Sequence, residues 1–289
     1  MSKTVLILGV NGLLGNTILK FFVNQKKYKV IGTVRDKAKK EYFHFKYRRH
    51  ILIHKNIIDF RSINNLLNKI KPQYVINCIG IIKQATNIND SKNVFYVNSY
   101  LPHILAFLTN QIRARLIHIS TDCVFSGDKG LYTEKDLPDA EDIYGVSKFL
   151  GEVSYENTTI LRTSIIGHEM KTNSSLINWF LSQKGKVDGY SKAIFSGLPT
   201  NELAKIIHDI VIPKKNLIGL FHVSSNSISK YDLLTIVAKI YNKKIIINKD
   251  PRVKIDRSLD STKFNYLTGY TPVSWENLIH EMHNFYSNN

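Results

Sequence analysis

Three glycines at regular spacing, set between a β-rich run and a helical pattern, constrain this chain more than any other feature. Residues 4–8 (TVLIL) read as a buried strand, and a helical pattern starts at Leu13. Between them lies Gly9-Val10-Asn11-Gly12-Leu13-Leu14-Gly15. Gly9 permits a turn too tight for a Cβ. Gly12 lets the backbone come close to a ligand, and Gly15 lets the helix pack close on the strand. The start of the helix offers N–H groups without intrahelical partners and a positive potential, which together suit a pyrophosphate. The spacing is GxxGxxG rather than GxGxxG. Its place at a first strand-to-helix junction carries the reading more than the glycines themselves.

The alternation continues through the first half. Strands are expected at 28–34, 51–54, 74–78, 116–120 and 159–163, with helices at 13–23, 61–69, 98–109 and 144–155 and a basic loop after the second strand. Such βαβ units imply a parallel sheet with right-handed crossovers. In the second half the pattern loosens: helices at 173–182, 200–211, 230–241 and 275–286, and a strand at 221–224. The expected fold class is α/β, a doubly wound Rossmann parallel sheet with a smaller C-terminal α/β substrate lobe. The division is 1–165 for nucleotide binding and 166–289 for the substrate, with the chain crossing between lobes more than once.

A hydrophobic fraction of 43% over 289 residues supplies a core. No apolar run approaches the roughly 18 residues that span a bilayer. The opening MSKTVLILGVNG has glycines and an asparagine where an export signal would have its cleavage site. A cytoplasmic protein without a membrane partner is therefore expected. Two cysteines, Cys78 and Cys123, make neither a disulfide framework nor a four-cysteine zinc site, and no metal is expected. The net charge is +17, from 40 basic and 23 acidic residues. The lysines are scattered, and the densest cluster, KYRRH at 46–50, is short. That pattern favours a solvated basic surface with one anion cleft over a nucleic-acid face.

The second expected strand ends Gly32-Thr-Val-Arg35-Asp36. An NAD site places a carboxylate at the ribose 2′-hydroxyl here, whereas Arg35 suits a 2′-phosphate. NADPH is the expected cofactor, and Asp36, one position on, keeps NADH use open. Further along, Tyr144 and Lys148 lie four apart on a helix and share a face. The lysine can hold a ribose and lower the phenol's pKa, so that the tyrosine can protonate a carbonyl as a hydride arrives. Ser120-Thr121-Asp122 closes the fifth strand, at the carboxyl edge where doubly wound sheets place ligands, and Thr121 can bond the same carbonyl oxygen.

These features resemble the extended short-chain dehydrogenases, and among them the dTDP-4-dehydrorhamnose reductase group. GVNGLLG at 9–15, HISTDCVFSG at 118–127, YGVSKFLGE at 144–152, ILRTSIIG at 160–167, FSGLPTNELA at 195–204 and FHVSS at 221–225 carry the resemblance over essentially the whole chain. It implies a catalytic set of Thr121, Tyr144 and Lys148. It also implies a pyrophosphate loop of Gly9, Asn11, Gly12, Leu14 and Gly15, adenine contacts at Asn56 and Ile57, and a cofactor wall at Ile79 and Gly80. Leu13, Cys78 and Asn98 are counted with the cofactor residues. Lys83, Thr121, Asp122, Phe195, Pro199 and Arg257 are the substrate-side candidates, Arg257 for the diphosphate. Arg252 could share that task or be a surface charge.

The implied substrate is a nucleotide-linked 4-keto-6-deoxy sugar on dTDP or UDP. Asn77-Cys-Ile-Gly-Ile-Ile-Lys83 is similar to the reductases that make N-acetylated 6-deoxy amino sugars on UDP. Cys123 has two readings, a small residue in the pocket wall or a thiol that epimerises the sugar before reduction, with His168, Lys171 or Ser175 as its partner. A non-catalytic NADP-binding regulatory subunit and a homodimer both stay open. His118, Trp179 and Trp275 read as packing residues.

Overall fold

The computed structural model describes residues 2–82, 90–171 and 173–288. Strand β1 (Thr4–Leu8) leads into α1 (Leu13–Gln25), β2 (Lys29–Val34), the short helices α2 (Lys37–Glu41) and α3 (Phe45–Arg48), β3 (Ile51–Ile53), α4 (Phe60–Ile70) and β4 (Tyr74–Asn77). Helices α5 (Ser91–Phe95) and α6 (Leu101–Gln111) are joined by a π-helical turn, Tyr96–Tyr100. There follow β5 (Arg115–Thr121), α7 (Ile143–Leu150), β6 (Thr158–Thr163), β7 (Ile165–Ile166), α8 (Leu176–Ser182), β8 (Lys186–Phe195), β9 (Leu198–Pro199) and α9 (Thr200–Ile206). The chain ends with β10 (Gly219–His222), β11 (Ile228–Ser229), α10 (Lys230–Ile240), β12 (Ile246–Asp256), α11 (Thr262–Thr268) and α12 (Trp275–Ser287).

Seven strands form one sheet in the order β10-β6-β5-β4-β1-β2-β3, every neighbouring pair parallel. This is the expected doubly wound α/β class, and the strand order reverses direction between β1 and β4, where such sheets open a ligand crevice. Strand sequences such as VLIL and YVIN are apolar throughout because both faces are covered. The period of two then divides each strand. Val5 and Ile7 face the cluster built with Leu14, Ile18 and Phe22 of α1 and Leu203 and Ala204 of α9. Leu6 and Leu8 face the cluster built with Ile63 and Leu67 of α4 and Leu101 and Leu105 of α6. Strand β10 brings the second half of the chain back into this sheet beside β6.

A second sheet, β11-β8-β12, packs its apolar side against α8, α10 and α12 through Phe180, Phe195, Leu233, Leu234, Trp275 and Ile279. None of its three strands is in the sequence reading. Strand β12 reads IINKDPRVKID, polar and interrupted by Pro251, and its register against β8 shifts between Asp250 and Lys254, around that proline. Proline has no N–H to give a ladder, so the pattern hides a strand that the bulge preserves. The expected basic loop after β2 is two short helices, capped by Asp36 and His44, too short to show a periodic stripe.

The π turn also has a local cause. Pro102 cannot donate to the carbonyl four residues back, and the Leu101 N–H bonds Tyr96 O, five residues back. Helices α1, α9 and α12 meet at three hydroxyls: Thr17 lies 2.7 Å from Tyr286 and 3.1 Å from Thr200, and Thr200 lies 2.8 Å from Tyr286.

Helix α1 sits on β1 without space for a methyl group. A Cβ on Gly15 would lie 2.3 Å from Gly9 O and 2.9 Å from Val10 Cα, both backbone atoms that cannot step aside. Gly15→Ala is expected to cost about 3 kcal/mol of stability, measured by urea unfolding; a loss below experimental error would show that the helix can shift freely on the strand.

Candidate active site

The glycine turn lies at the carboxyl end of β1. Gly9 has φ +80°, a left-handed conformation, and a Cβ there would meet Ile79 Cγ1 at 2.7 Å. Gly12 N donates to Gly9 O (3.1 Å) and Gly12 O receives Asn16 N (2.9 Å), so the turn closes directly into α1. No side chain caps α1, and Asn11 and Gly12 are exposed with only Gly9 O near the Gly12 Cα. The first N–H groups of a 13-residue helix thus open onto a cradle free of Cβ atoms, which fits a pyrophosphate.

Around this cradle stand the other strand ends. Arg35 follows β2 and is exposed, while Asp36 Oδ1 accepts from Lys39 N (2.9 Å) and is committed to capping α2. Asn56 is exposed in the turn after β3, and Ile57 is half-buried against the second core cluster. After β4, Cys78 N donates to Leu8 O (3.1 Å) and Ile79 N to Asn77 Oδ1 (3.1 Å), which brings Cys78, Ile79 and Gly80 alongside the glycine turn. Burial pushes the Cys78 thiol up to about 12, against the pull of Lys148.

Asn98 has a different task from the expected cofactor contact. It is fully buried, its amide bonds both the N–H and the carbonyl of Ile81 (2.8 and 3.0 Å), and it donates to Ser147 Oγ (3.0 Å). Its polar atoms are consumed in tying the wall after β4 to α7, which leaves none for a ligand. Lys83 lies outside the described residues.

At the end of β5, Thr121 and the phenol of Tyr144 are hydrogen-bonded, and both are largely buried. Lys148, one turn further along α7, is 5% exposed and donates to Ile119 O (2.8 Å). Burial brings its ammonium down to about 8, with Glu152 and Cys78 acting in the other direction. The expected depression of the phenol by Lys148 is not found. Burial raises the Tyr144 pKa, the neighbouring Cys123 and Asp122 raise it further, and the bond from Thr121 opposes them. The lysine's head is turned to the strand carbonyl, so its field acts on Cys78 and His118 instead.

Cys123 N donates to Thr121 Oγ1 (3.1 Å). Its thiol is pushed up to about 12 by burial and the adjacent Asp122, so it stays protonated. Asp122 is itself raised by burial, and it accepts from Thr121, Cys123 and Ser164 with Arg257 close by. Arg257 reaches the site from β12's end, its Nε donating to Phe125 O (2.7 Å). Of the expected partners of Cys123, His168 is paired with Tyr241 (2.8 Å), Ser175 caps α8, and Lys171 lies over the Tyr42 ring. Two other expectations need correction, and Arg252 takes the second of its two readings. Phe195 is 7% exposed and packs on Trp275 in the third core cluster, so it is core rather than pocket wall. Pro199 is buried in the short β7–β9 pairing opposite Ile166. Arg252 is an exposed surface charge clasped by Asp250 (2.6 Å).

Over residues 3–287 the chain matches the family described as RmlD substrate binding domain. It belongs to that family. Two curated relatives differ in kind: the spore coat polysaccharide biosynthesis protein SpsK of Bacillus subtilis (strain 168), 30% identical over 63% of this chain and 66% of its own length, and methionine adenosyltransferase 2 subunit beta of Rattus norvegicus, 24% identical over 83% and 73%. Among solved structures, a dTDP-4-dehydrorhamnose reductase from Bacillus anthracis in complex with NADP superposes with a TM-score of 0.80, at 22% identity, covering 98% of this chain and 99% of that one. That likeness carries the fold. The resemblance read from the motifs agrees with the family. Among the described residues no helix is long and apolar enough to cross a membrane, and no three His, Cys, Asp or Glu side chains gather as for a metal.

The family's YGVSKFLGE and ILRT segments meet in a network that sequence reading passed over. Arg162 of β6 holds Glu152 with two bonds (Nε 2.7 Å, Nη2 2.6 Å), and both side chains are at most 5% exposed. Ser120 donates to the same carboxylate (2.6 Å), and Arg162 Nη1 lies 3.2 Å from His222 Nε2. The His222 Nδ1 lies 2.9 Å from Tyr132 O, and burial beside Arg162 takes this ring down to about 4, keeping it neutral. An arginine inside an otherwise apolar strand is the signal that could have revealed it, since such a charge requires a buried acid. Ser164, which bonds Asp122, carries no comparable signal.

Two measurements check this account. Glu152→Ala leaves a buried guanidinium uncompensated and is expected to cost about 3–5 kcal/mol, more than the double replacement of Glu152 and Arg162 by methionine, both read from urea unfolding. Lys148 provides a pH signature. Its folded pKa lies below the usual 10.5, so its share of stability is complete above 10.5 and is lost as pH falls through about 8. From pH 7 to 10.5 the unaltered protein is expected to gain roughly 3 kcal/mol relative to Lys148→Met; a difference flat with pH would contradict the depressed lysine.

Proposed function

We propose that the chain is an NADPH-dependent reductase of the C4 keto group of a nucleotide-linked 4-keto-6-deoxy hexose on dTDP or UDP, with UDP-2-acetamido-2,6-dideoxy-hexos-4-ulose among the candidates. The observation that carries this reading is the hydroxyl pair of Thr121 and Tyr144, buried with Lys148 at the carboxyl edge of the sheet beside a Cβ-free phosphate cradle. When bound, NADPH supplies the hydride. Gly9, Asn11, Gly12, Leu13, Leu14 and Gly15 would hold its pyrophosphate, Asn56 and Ile57 its adenine, and Arg35 its 2′-phosphate.

Within that frame the chain's own groups do the proton chemistry. Thr121 and Tyr144 hold the carbonyl oxygen, and Tyr144 passes its phenolic proton to it as the C4–H bond forms. A raised phenol pKa serves this direction, because the proton is in place at neutral pH. Lys148, with a pKa near 8, remains largely an ammonium at pH 7 and can hold the ribose hydroxyls. Arg257, whose charge acts on Asp122 and Cys123, is the candidate cation for a substrate diphosphate. Reduction without epimerisation is favoured, because the Cys123 thiol is protonated and its expected partners are engaged elsewhere.

A second reading has its own support. The likeness to a protein named as a subunit of methionine adenosyltransferase 2 favours a non-catalytic NADP-binding subunit. Homodimer formation, a further part of the proposal, has support from the exposed Phe95, Tyr96 and Tyr100 on one stretch of helix.

NADPH oxidation against a panel of 4-keto-6-deoxy sugars on UDP, dTDP and GDP separates these readings. Tyr144→Phe is expected to lower turnover by about 10²–10⁴-fold while leaving NADPH affinity nearly intact. Unchanged turnover in that variant would refute the assignment, and no turnover of any sugar alongside tight NADPH binding would favour the subunit.

A further inference from the structure

The segment after β7 carries one lysine across to the nucleotide side of the molecule. Lys171 Nζ lies 4.3 Å from the centre of the Tyr42 ring, and Lys39 Nζ of α2 lies 5.2 Å from the same centre. Tyr42 directly follows α2, whose first residues follow Arg35 at the end of β2. Two ammonium groups thus converge on one half-exposed ring, four to seven residues beyond an exposed guanidinium.

Among the described residues neither lysine is paired with a carboxylate. The local acids face other groups: Asp36 caps α2, and Glu41 lies 4.0 Å from Lys37. A ring face attracts a cation only weakly in water, and like charges brought together repel. Such a cluster is relieved by an anion of high charge. The segment that brings Lys171 is also held in place. His168 is bonded to Tyr241 (2.8 Å), Met170 packs against the first core cluster, and Glu169 Oε2 accepts from Ser174 N (2.9 Å) and Ser175 N (3.0 Å). Little ordering remains to be done when an anion arrives.

We propose that Lys171, with Arg35 and Lys39, seats the 2′-phosphate of the cofactor, so that the second half of the chain sets the choice between NADPH and NADH. The proposal rests on the NADPH reading above. The carboxyl end of the second strand is where the adenosine ribose of a dinucleotide lies in a doubly wound sheet, and a phosphate monoester dianion is the charge such a cluster suits. Lys171 is exposed and touches no catalytic group, so its replacement leaves the fold and the Thr121–Tyr144 pair alone.

The test is a set of dissociation constants for NADPH, NADH and 2′,5′-ADP, by calorimetry, with the unaltered protein, Lys171→Ala and Lys171→Arg. Lys171→Ala is expected to weaken NADPH and 2′,5′-ADP about tenfold and to leave NADH within about twofold, while Lys171→Arg keeps most of the discrimination. Equal weakening of NADPH and NADH would make Lys171 a structural residue and overturn the seat. An unaltered protein that prefers NADPH, with Lys171→Ala no different, would overturn the seat and leave the cofactor reading standing. Absence of an NADPH preference in the unaltered protein would overturn both.

Discussion

The close backbone approach of α1 on β1, across Gly9 and Gly15, sets where the glycine turn sits. With no side chain between helix and strand, the N-terminus of α1 is held at the carboxyl edge of the sheet, beside the ends of β2 and β4. A Cβ at Gly15 would push the helix outward and break the turn that Gly12 closes on Gly9. A helix N-terminus offers an anion its N–H groups and dipole rather than side chains, so the proposed phosphate cradle depends on that distance.

The catalytic hydroxyls depend on a second constraint, the placement of α7. This helix is fastened from two sides. Glu152 just beyond it is gripped by Arg162 of β6 and Ser120 of β5, and Ser147 within it is bonded by Asn98. Lys148 lies between these fastenings, and Tyr144 precedes Ser147 by three residues. A buried ion pair adds little net stability over an apolar pair of equal shape, but it tolerates few alternative arrangements. Through His222 and Tyr132 the same network reaches the Phe125–Tyr132 stack that borders Arg257. Helix α7 and the segment around Arg257 thereby share one hydrogen-bonded support.

Much of this was legible in the sequence, and the parts that were not share a cause. Strands buried on both faces announce themselves as VLIL or YVIN, and Gly9 to Gly15 announce a turn, because both follow from local backbone rules. Thr121, Tyr144 and Lys148 come together because each sits at a position that strand and helix geometry predicts. By contrast, β12 was hidden by Pro251 and its polar face, and Phe195 and Pro199 were assigned to a pocket when the second lobe's packing buries them. Asn98 was read as a ligand contact because nothing nearby in sequence shows that Ile81 and Ser147 use its whole amide.

What the sequence alone determined is the class of the fold, the glycine turn and the positions of Thr121, Tyr144 and Lys148 on their strand and helix, since these rest on spacing within one turn or one strand. Only the tertiary structure decided the state of those groups: a phenol held protonated beside Cys123, a lysine turned to Ile119 O with its pKa near 8 and a Lys171 brought onto Tyr42. The physical reason is that charge and hydrogen bonding in a folded chain are set by burial and by partners tens to more than a hundred residues away. No local pattern of residue types specifies those.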